Sequence, residues 1–110
     1  MRTHQHISPK AEIAEDVQIG FGVRIYENVQ IETGTKIGDH CVIGCPTKRK
    51  EYAGKVLQIG RDSIVRSHTV LYEGSIFKDR LETGHHVVIR EGSKVGSNLR
   101  VGNFSDIEGD

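Results

Sequence analysis

The sequence lacks several features that would point to common classes of protein. It has no Trp and only three Phe and three Tyr among 110 residues, so large aromatic side chains cannot build its core. Its 15 Lys and Arg balance 15 Asp and Glu, and a net charge of zero gives no long-range attraction for nucleic acid or an anionic membrane. No apolar run exceeds three residues, whereas roughly 20 are needed to span a bilayer. We therefore expect a soluble, cytoplasmic protein with neither nucleic acid nor membrane as a partner.

Cysteine is also scarce. The two thiols, Cys41 and Cys45, have a C-x3-C spacing that matches neither a redox C-x-x-C motif nor a paired zinc motif. We expect both to be reduced, with Cys41 in the core. The length fits one domain, which we take as residues 1–110.

Large apolar residues recur at intervals of six. The first series is Ile7, Ile13, Ile19, Ile25, Ile31, Ile37 and Ile43, and the second is Ile59, Val65, Leu71, Phe77, Thr83, Ile89, Val95, Val101 and Ile107. Of these sixteen anchors only Thr83 is not large and apolar. A small or medium-sized residue usually stands four positions after the anchor, and Gly often follows it directly. This period matches neither an amphipathic helix nor a simple alternating strand.

A unit of six residues suits a short strand followed by a corner. At roughly 3.3 Å per residue, three such units would close a triangular coil of about 18 residues. Successive coils would stack about 4.8 Å apart, with the anchors in columns inside. Any chemistry would then belong to the outward third and fourth places of each unit.

This pattern closely resembles the hexapeptide-repeat family, from about Ile7 to the C-terminus apart from one break. The resemblance implies an all-β fold, a left-handed parallel β-helix of about five coils with one extruded loop. The hand comes from the resemblance, because periodicity alone does not determine it. The resemblance also implies a homotrimer whose active sites lie between subunits, with coenzyme A along the coils.

The break in the repeat predicts a loop at about 48–57. Ile43 and Ile59 are sixteen positions apart, and the segment from Lys48 to Lys55 offers no inward anchor. Two interpretations stay open: its cations form a solvated tip, or they reach a neighbouring subunit or a phosphorylated ligand. At the other end, Ile107 begins a unit that stops at Asp110. Because solenoids need terminal caps, we expect this chain to be the N-terminal part of a longer protein.

The unit from Thr83 to Val88 holds the strongest candidates for catalysis. It combines the polar anchor with His85 in the third place and His86 in the fourth. Histidine titrates near neutral pH and can take a proton from an amine or hydroxyl during acyl transfer. Hexapeptide acyltransferases of lipid A synthesis and nucleotide-sugar acetylation place a catalytic His at the third place after a small residue. The resemblance therefore implies His85 as general base, with His86 as the alternative.

Three further residues are candidates for substrate binding: His68, Arg90 and Asn103. His68 holds a fourth place eighteen residues before His86, so we expect the two rings one coil apart on the same face. Asn103 follows His85 by eighteen residues, where the family uses a backbone N–H to hold the oxyanion, although Gly is usual there. Arg90 is expected to form an exposed pair with Glu91. His40 would join His68 and His86 only if the break is a ten-residue loop.

These residues lead to the hypothesis of an acyl-CoA-dependent acyltransferase. Acetyl-CoA or another acyl-CoA would be the co-substrate, no metal is expected, and the acceptor would be an amino or hydroxyl group of a sugar or nucleotide sugar. One alternative is a non-enzymatic trimeric β-helix scaffold, since fold does not fix function. Another is a γ-class carbonic anhydrase-like hydratase with His68, His85 and His86 as metal ligands. The two His separated by four residues that this class needs are absent.

Overall fold

The computed structural model describes residues 5–108, which contain short β-strands and no α-helix. The strands are β1 (His6–Ile7), β2 (Glu12–Ile13), β3 (Gln18–Ile19), β4 (Arg24–Ile25), β5 (Val29–Ile31), β6 (Lys36–Ile37), β7 (Val42–Cys45), β8 (Leu57–Ile59), β9 (Ile64–Val65), β10 (Val70–Tyr72), β11 (Ile76–Phe77), β12 (Glu82–Thr83), β13 (Val88–Ile89), β14 (Lys94–Val95), β15 (Arg100–Val101) and β16 (Asp106–Ile107). Residues 5–108 form no helix that could cross a membrane.

The strands stack into three parallel sheets, because every third strand lies over its predecessor. The first sheet has the order β1-β4-β7-β10-β13-β16, the second β14-β11-β8-β5-β2 and the third β15-β12-β9-β6-β3. Paired residues are 18 positions apart, as in His6 with Arg24, except in the pairs that span the break, most of which are 28 apart, as in Ile37 with Val65. Residues 5–108 therefore form five complete coils and the first strand of a sixth, which confirms the predicted all-β solenoid. Its left-handed sense stays a prediction from the family resemblance.

The anchors form the core, as the period predicts. Ile25, Ile43, Ile59 and Ile89 are each at most 1% exposed, and burying each contributes on the order of 1.5–3 kcal/mol. Thr83 is also fully buried. Its hydroxyl oxygen accepts a hydrogen bond of 3.1 Å from the Arg66 backbone N–H, so the one polar anchor is satisfied inside the coil.

The corner between the third and first sheets has an unusual backbone conformation. His40, His68, His86 and Phe104 occupy this corner in successive coils, with φ values of 59°, 59°, 56° and 60°. Such left-handed conformations are uncommon for bulky residues. Each of the four donates its backbone N–H to a carbonyl of the preceding coil, at 2.8 to 2.9 Å. The stacking of the coils thus holds the corner in this conformation.

The break in the repeat is an insertion of ten residues. Val29 pairs with Leu57, ten positions further along the chain than the 18-residue offset of the other coils. The segment 46–56 between β7 and β8 contains the extra residues and leaves the coil, as the extruded loop predicted at about 48–57 does. The ten-residue offset brings His40 into register with His68. The Ala53 backbone N–H donates to the Arg49 carbonyl at 3.0 Å, which folds the insertion into a tight turn.

Candidate active site

His85 lies at the corner after β12, on the rim of a groove of about 560 Å³. The groove lies along the outside of the third sheet. Its lining includes Gln18, Lys36, Ile64, Arg66, Ser67 and His85. The His85 side chain is exposed, so a ligand in the groove would have access to its imidazole.

His85 is held by residues from the coils on both sides. The Ser67 hydroxyl oxygen lies 2.7 Å from His85 Nδ1, and the His85 backbone N–H donates to Asn103 Oδ1 at 2.7 Å. Asn103 also packs directly against Gly84, where a Cβ would lie 2.7 Å from the Asn103 nitrogen. Glycine before His85 therefore lets the next coil approach this closely.

The groove lining has two cations, Lys36 and Arg66, and one carboxylate, Asp39. Lys36 is exposed on β6, and the Arg66 guanidinium is fixed by Glu82 Oε2 at 2.9 Å and the Thr83 carbonyl at 3.1 Å. Arg100 approaches the other oxygen of Glu82 at 3.6 Å. Lys36 and Arg66 offer charge-assisted donors for an anionic group bound beside His85.

His86 points away from this arrangement and joins a column of rings, which we define as Phe21, His40, His68, His86 and Phe104. The centroids of His68 and His86 are 4.6 Å apart with their planes at 10°, which confirms the predicted placement one coil apart. Phe104 stacks on the other side of His86 at 5.1 Å, and His40 lies 5.1 Å from His68. Phe21 lies edge-on against His40 at 5.5 Å. Adjacent in sequence, His85 and His86 therefore have different surroundings.

Arg90 lies at the opposite end of β13 from His86. Its guanidinium sits 4.2 Å from the centroid of Tyr72, and its Nε donates to Glu91 Oε1 at 3.2 Å. The expectation of an exposed pair is wrong for Glu91, which is 2% exposed. The insertion covers it, with Arg49 Nη1 at 3.4 Å from Glu91 Oε2. Because sequence reasoning treated this loop as detached from the coil, it missed the contact.

Glu91 keeps its charge despite its position. Burial raises its pKa, but hydrogen bonds from its own backbone N–H, from Arg90 and from Thr47 outweigh burial and leave the pKa lowered. The nearby Lys48, Lys50 and Lys55 are exposed.

The cysteines provide no activated nucleophile. Cys41 is buried in the core, as predicted, and Cys45 is partly buried. Burial raises the pKa of both thiols, which favours the protonated, less nucleophilic form. Residues 5–108 contain no group of three or more His, Cys, Asp or Glu side chains placed to hold a metal ion.

The structure thus divides the sequence candidates into three places. His85 lies at the groove with Asn103 hydrogen-bonded to its backbone, His68 and His86 stack in the ring column, and Arg90 lies beside the insertion. Ser67 was missed, although it stands eighteen residues before His85. The same spacing that selected Asn103 would have found it.

The chain is similar in sequence to a family model and to several known proteins. Residues 16–45 match the family model described as bacterial transferase hexapeptide (six repeats). The bifunctional protein GlmU of Shouchella clausii is 36% identical over 96 residues, which are 87% of this chain and 20% of that protein. The acyl-[acyl-carrier-protein]–UDP-N-acetylglucosamine O-acyltransferase of Thermodesulfovibrio yellowstonii is 28% identical over 130 residues, covering 94% of this chain and 50% of that protein. The chain thus spans half or less of these two relatives.

Two solved structures were also found to be similar. LpxA from Acinetobacter baumannii has a TM-score of 0.44 and 21% identity, covering 96% of this chain and 65% of that chain. A mutant of perosamine N-acetyltransferase from Caulobacter crescentus, solved with CoA and GDP-perosamine, has a TM-score of 0.39 and 21% identity, covering 93% of this chain and 50% of that chain. The sixfold period and the parallel coils built from it are those of the hexapeptide repeat, the family whose model residues 16–45 match.

Proposed function

We propose that this chain carries the site of an acyl-CoA-dependent acyltransferase. The acyl group, most simply acetyl, passes to an amino or hydroxyl group of a sugar or nucleotide sugar, and His85 is the general base. The observation that carries the proposal is the exposed His85 on the rim of a groove that Lys36 and Arg66 also line, with the His85 Nδ1 at 2.7 Å from the Ser67 hydroxyl oxygen. The O-acyltransferase named among the relatives supports the reaction class.

The proposed step is a proton-coupled attack on a thioester. His85 Nε2 takes the proton from the N–H or O–H group of the acceptor, while the nitrogen or oxygen of that group forms a bond to the thioester carbonyl carbon. The carbon–sulfur bond then breaks, the acyl group stays on the acceptor, and the imidazolium returns its proton to the leaving thiolate. The family resemblance assigns the oxyanion to the Asn103 backbone N–H, and the contact between Asn103 and Gly84 places that backbone next to His85.

The groove also suits the proposed acceptor. Lys36 and Arg66 would pair with the phosphates of a nucleotide sugar, while its sugar approaches His85. We further propose a homotrimer in which a neighbouring chain completes the groove. Sedimentation analysis of the purified protein checks this part independently of activity, because a monomer would contradict it.

The reaction is tested by thiol release from acetyl-CoA in the presence of aminosugars and nucleotide-linked aminosugars. We expect release that depends on the acceptor, and a His85→Gln variant whose kcat falls by about 10²- to 10⁴-fold. His86→Asn is the matched comparison, because Asn tolerates the left-handed corner, and it should keep most of the activity.

Four outcomes would overturn parts of this proposal. Full activity of His85→Gln would remove His85 as base, and loss confined to His86→Asn would move the base to His86. Thiol release from an acyl carrier protein thioester but not from acyl-CoA would replace the proposed donor. Stable trimers that release no thiol with any donor or acceptor would favour the scaffold.

A further inference from the structure

We propose that Ser67 and Asn103 are positioning residues that hold His85 from its two neighbouring coils, with Ser67 selecting the tautomer of the imidazole. The proposal rests on the proposed function, in which His85 is the base. It adds why Nε2 is the basic nitrogen of the ring and which residues hold the ring in place.

The side chain of His85 is held from the preceding coil. Ser67 stands in the same third place one coil earlier, and its Oγ lies 2.7 Å from His85 Nδ1. A hydroxyl can donate or accept, so this contact has two forms. When Nδ1–H donates to Ser67, Nε2 keeps its lone pair and acts as a base. When Ser67 donates to Nδ1, the proton is on Nε2, and the ring offers a donor where the reaction needs an acceptor.

The backbone of His85 is held from the following coil. Its N–H donates to Asn103 Oδ1 at 2.7 Å. The same contact recurs elsewhere with a carboxylate, since Phe21 N–H donates to Asp39 Oδ1 at 2.9 Å and Arg61 N–H to Asp79 Oδ1 at 3.0 Å. At His85 the acceptor is a neutral amide. Asn103 therefore gives the backbone contact of an Asp without placing a negative charge beside the imidazole.

This difference matters for a base. A carboxylate near the ring stabilises the imidazolium and keeps His85 protonated to higher pH. An amide in the same position places no negative charge beside the ring. Ser67 and Asn103 thus act on two separate properties, the tautomer and the protonation of His85.

The first experiment reads the tautomer directly, without activity. Nitrogen-15 NMR of the imidazoles at neutral pH, with the His85 signals assigned by their loss in His85→Gln, should show the Nδ1–H tautomer in the native protein. Ser67→Ala should shift His85 towards the Nε2–H form, whereas Ser67→Thr keeps the hydroxyl and should retain Nδ1–H. Ser97, an exposed third-place serine at another corner, gives the matched control Ser97→Ala, which should leave the spectrum of His85 as it is.

Kinetics then test the consequence. Ser67→Ala should lower kcat about tenfold, the effect of one lost hydrogen bond, with KM little changed and with recovery in Ser67→Thr. Asn103→Asp keeps the acceptor oxygen for the His85 N–H, so the chain should fold, and the acidic limb of its pH–rate profile should move to higher pH.

The proposal is overturned if the native His85 is in the Nε2–H form, if Ser67→Ala leaves its tautomer unchanged, or if Asn103→Asp leaves the pH–rate profile where it was. These results are distinct from a failure of the proposed function. If His85→Gln remains fully active, His85 is not the base, whatever tautomer Ser67 selects.

Discussion

Tyr52 of the insertion lies directly over Gly92, so close that a Cβ on Gly92 would sit 2.6 Å from Tyr52 Cζ. The same side chain passes Gly74 one coil earlier, where a Cβ would lie 2.9 Å from Tyr52 Cβ. With the contact between Arg49 and Glu91, this fixes the insertion on the outside of the coil. The loop is therefore part of the folded structure at this corner.

We expect Gly92→Ala to destabilise the protein by more than the left-handed backbone at this position alone would, because the added Cβ also meets Tyr52. Gly92 has φ of 82°, so Ala there carries a conformational penalty of roughly 1–2 kcal/mol. Displacing Tyr52 should add about 1–3 kcal/mol. Gly54→Ala is the matched control, because Gly54 has φ of 77° and no atom near its Cβ position. If Gly92→Ala and Gly54→Ala lose the same unfolding free energy in urea, the Tyr52 side chain does not pack against Gly92 as described.

Glu91 predicts a pH dependence of stability. Because the pKa of Glu91 is lowered in the folded chain, its contribution is present above the carboxyl pKa of the unfolded chain, about 4.3, and is lost as pH falls through the folded pKa. Glu91→Gln should cost about 1–2 kcal/mol near neutral pH and should remove part of the acid sensitivity. Unfolding free energies at about pH 7 and about pH 3 check this. If the unfolding free energy falls by the same amount between these two pH values in the native protein and in the variant, Glu91 does not contribute to the acid sensitivity.

The ring column predicts a stability loss when one ring is removed. His68 stacks between His40 and His86, and each such aromatic pair contributes about 0.5–1.5 kcal/mol. His68→Asn keeps a residue that tolerates φ of 59° but deletes the ring, so we expect a loss of about 1–2 kcal/mol in thermal or urea unfolding. His68→Phe keeps a ring and should lose less. The reverse order of the two variants would show that stacking does not stabilise this corner.

Replacing Thr83 by an apolar residue should destabilise the protein, although the repeat pattern suggests that an apolar anchor would stabilise it. A Val in this place would restore the apolar pattern, yet it would leave the Arg66 backbone N–H without the acceptor found at 3.1 Å. We expect Thr83→Val to lower the unfolding free energy by about 1–2 kcal/mol, because a part-buried donor loses its partner. A stabilised Thr83→Val variant would mean that the repeat pattern outweighs this hydrogen bond.

The sequence by itself determined the architecture. Hydrogen bonds between coils force residues eighteen positions apart to become neighbours, so a strict period of six predicts the three sheets, the buried anchors and the stacking of His68 on His86. The same rule brought Asn103 next to His85. The place of His40 in the column depended on the length of the insertion. The pairing of Val29 with Leu57 gives that length as ten residues.

Only the tertiary structure decided the directions of the side chains at the corners and the contacts of the insertion. His85 and His86 are adjacent in sequence, but the left-handed backbone at His86 turns its ring into the column, while His85 faces the groove. Glu91 is buried because Arg49 and Tyr52 of a non-repeating segment cover that corner. Corner conformations and contacts of an insertion depend on side chains distant in sequence, so no repeat pattern specifies them, whereas the coils themselves follow from local strand geometry and the burial of the anchors.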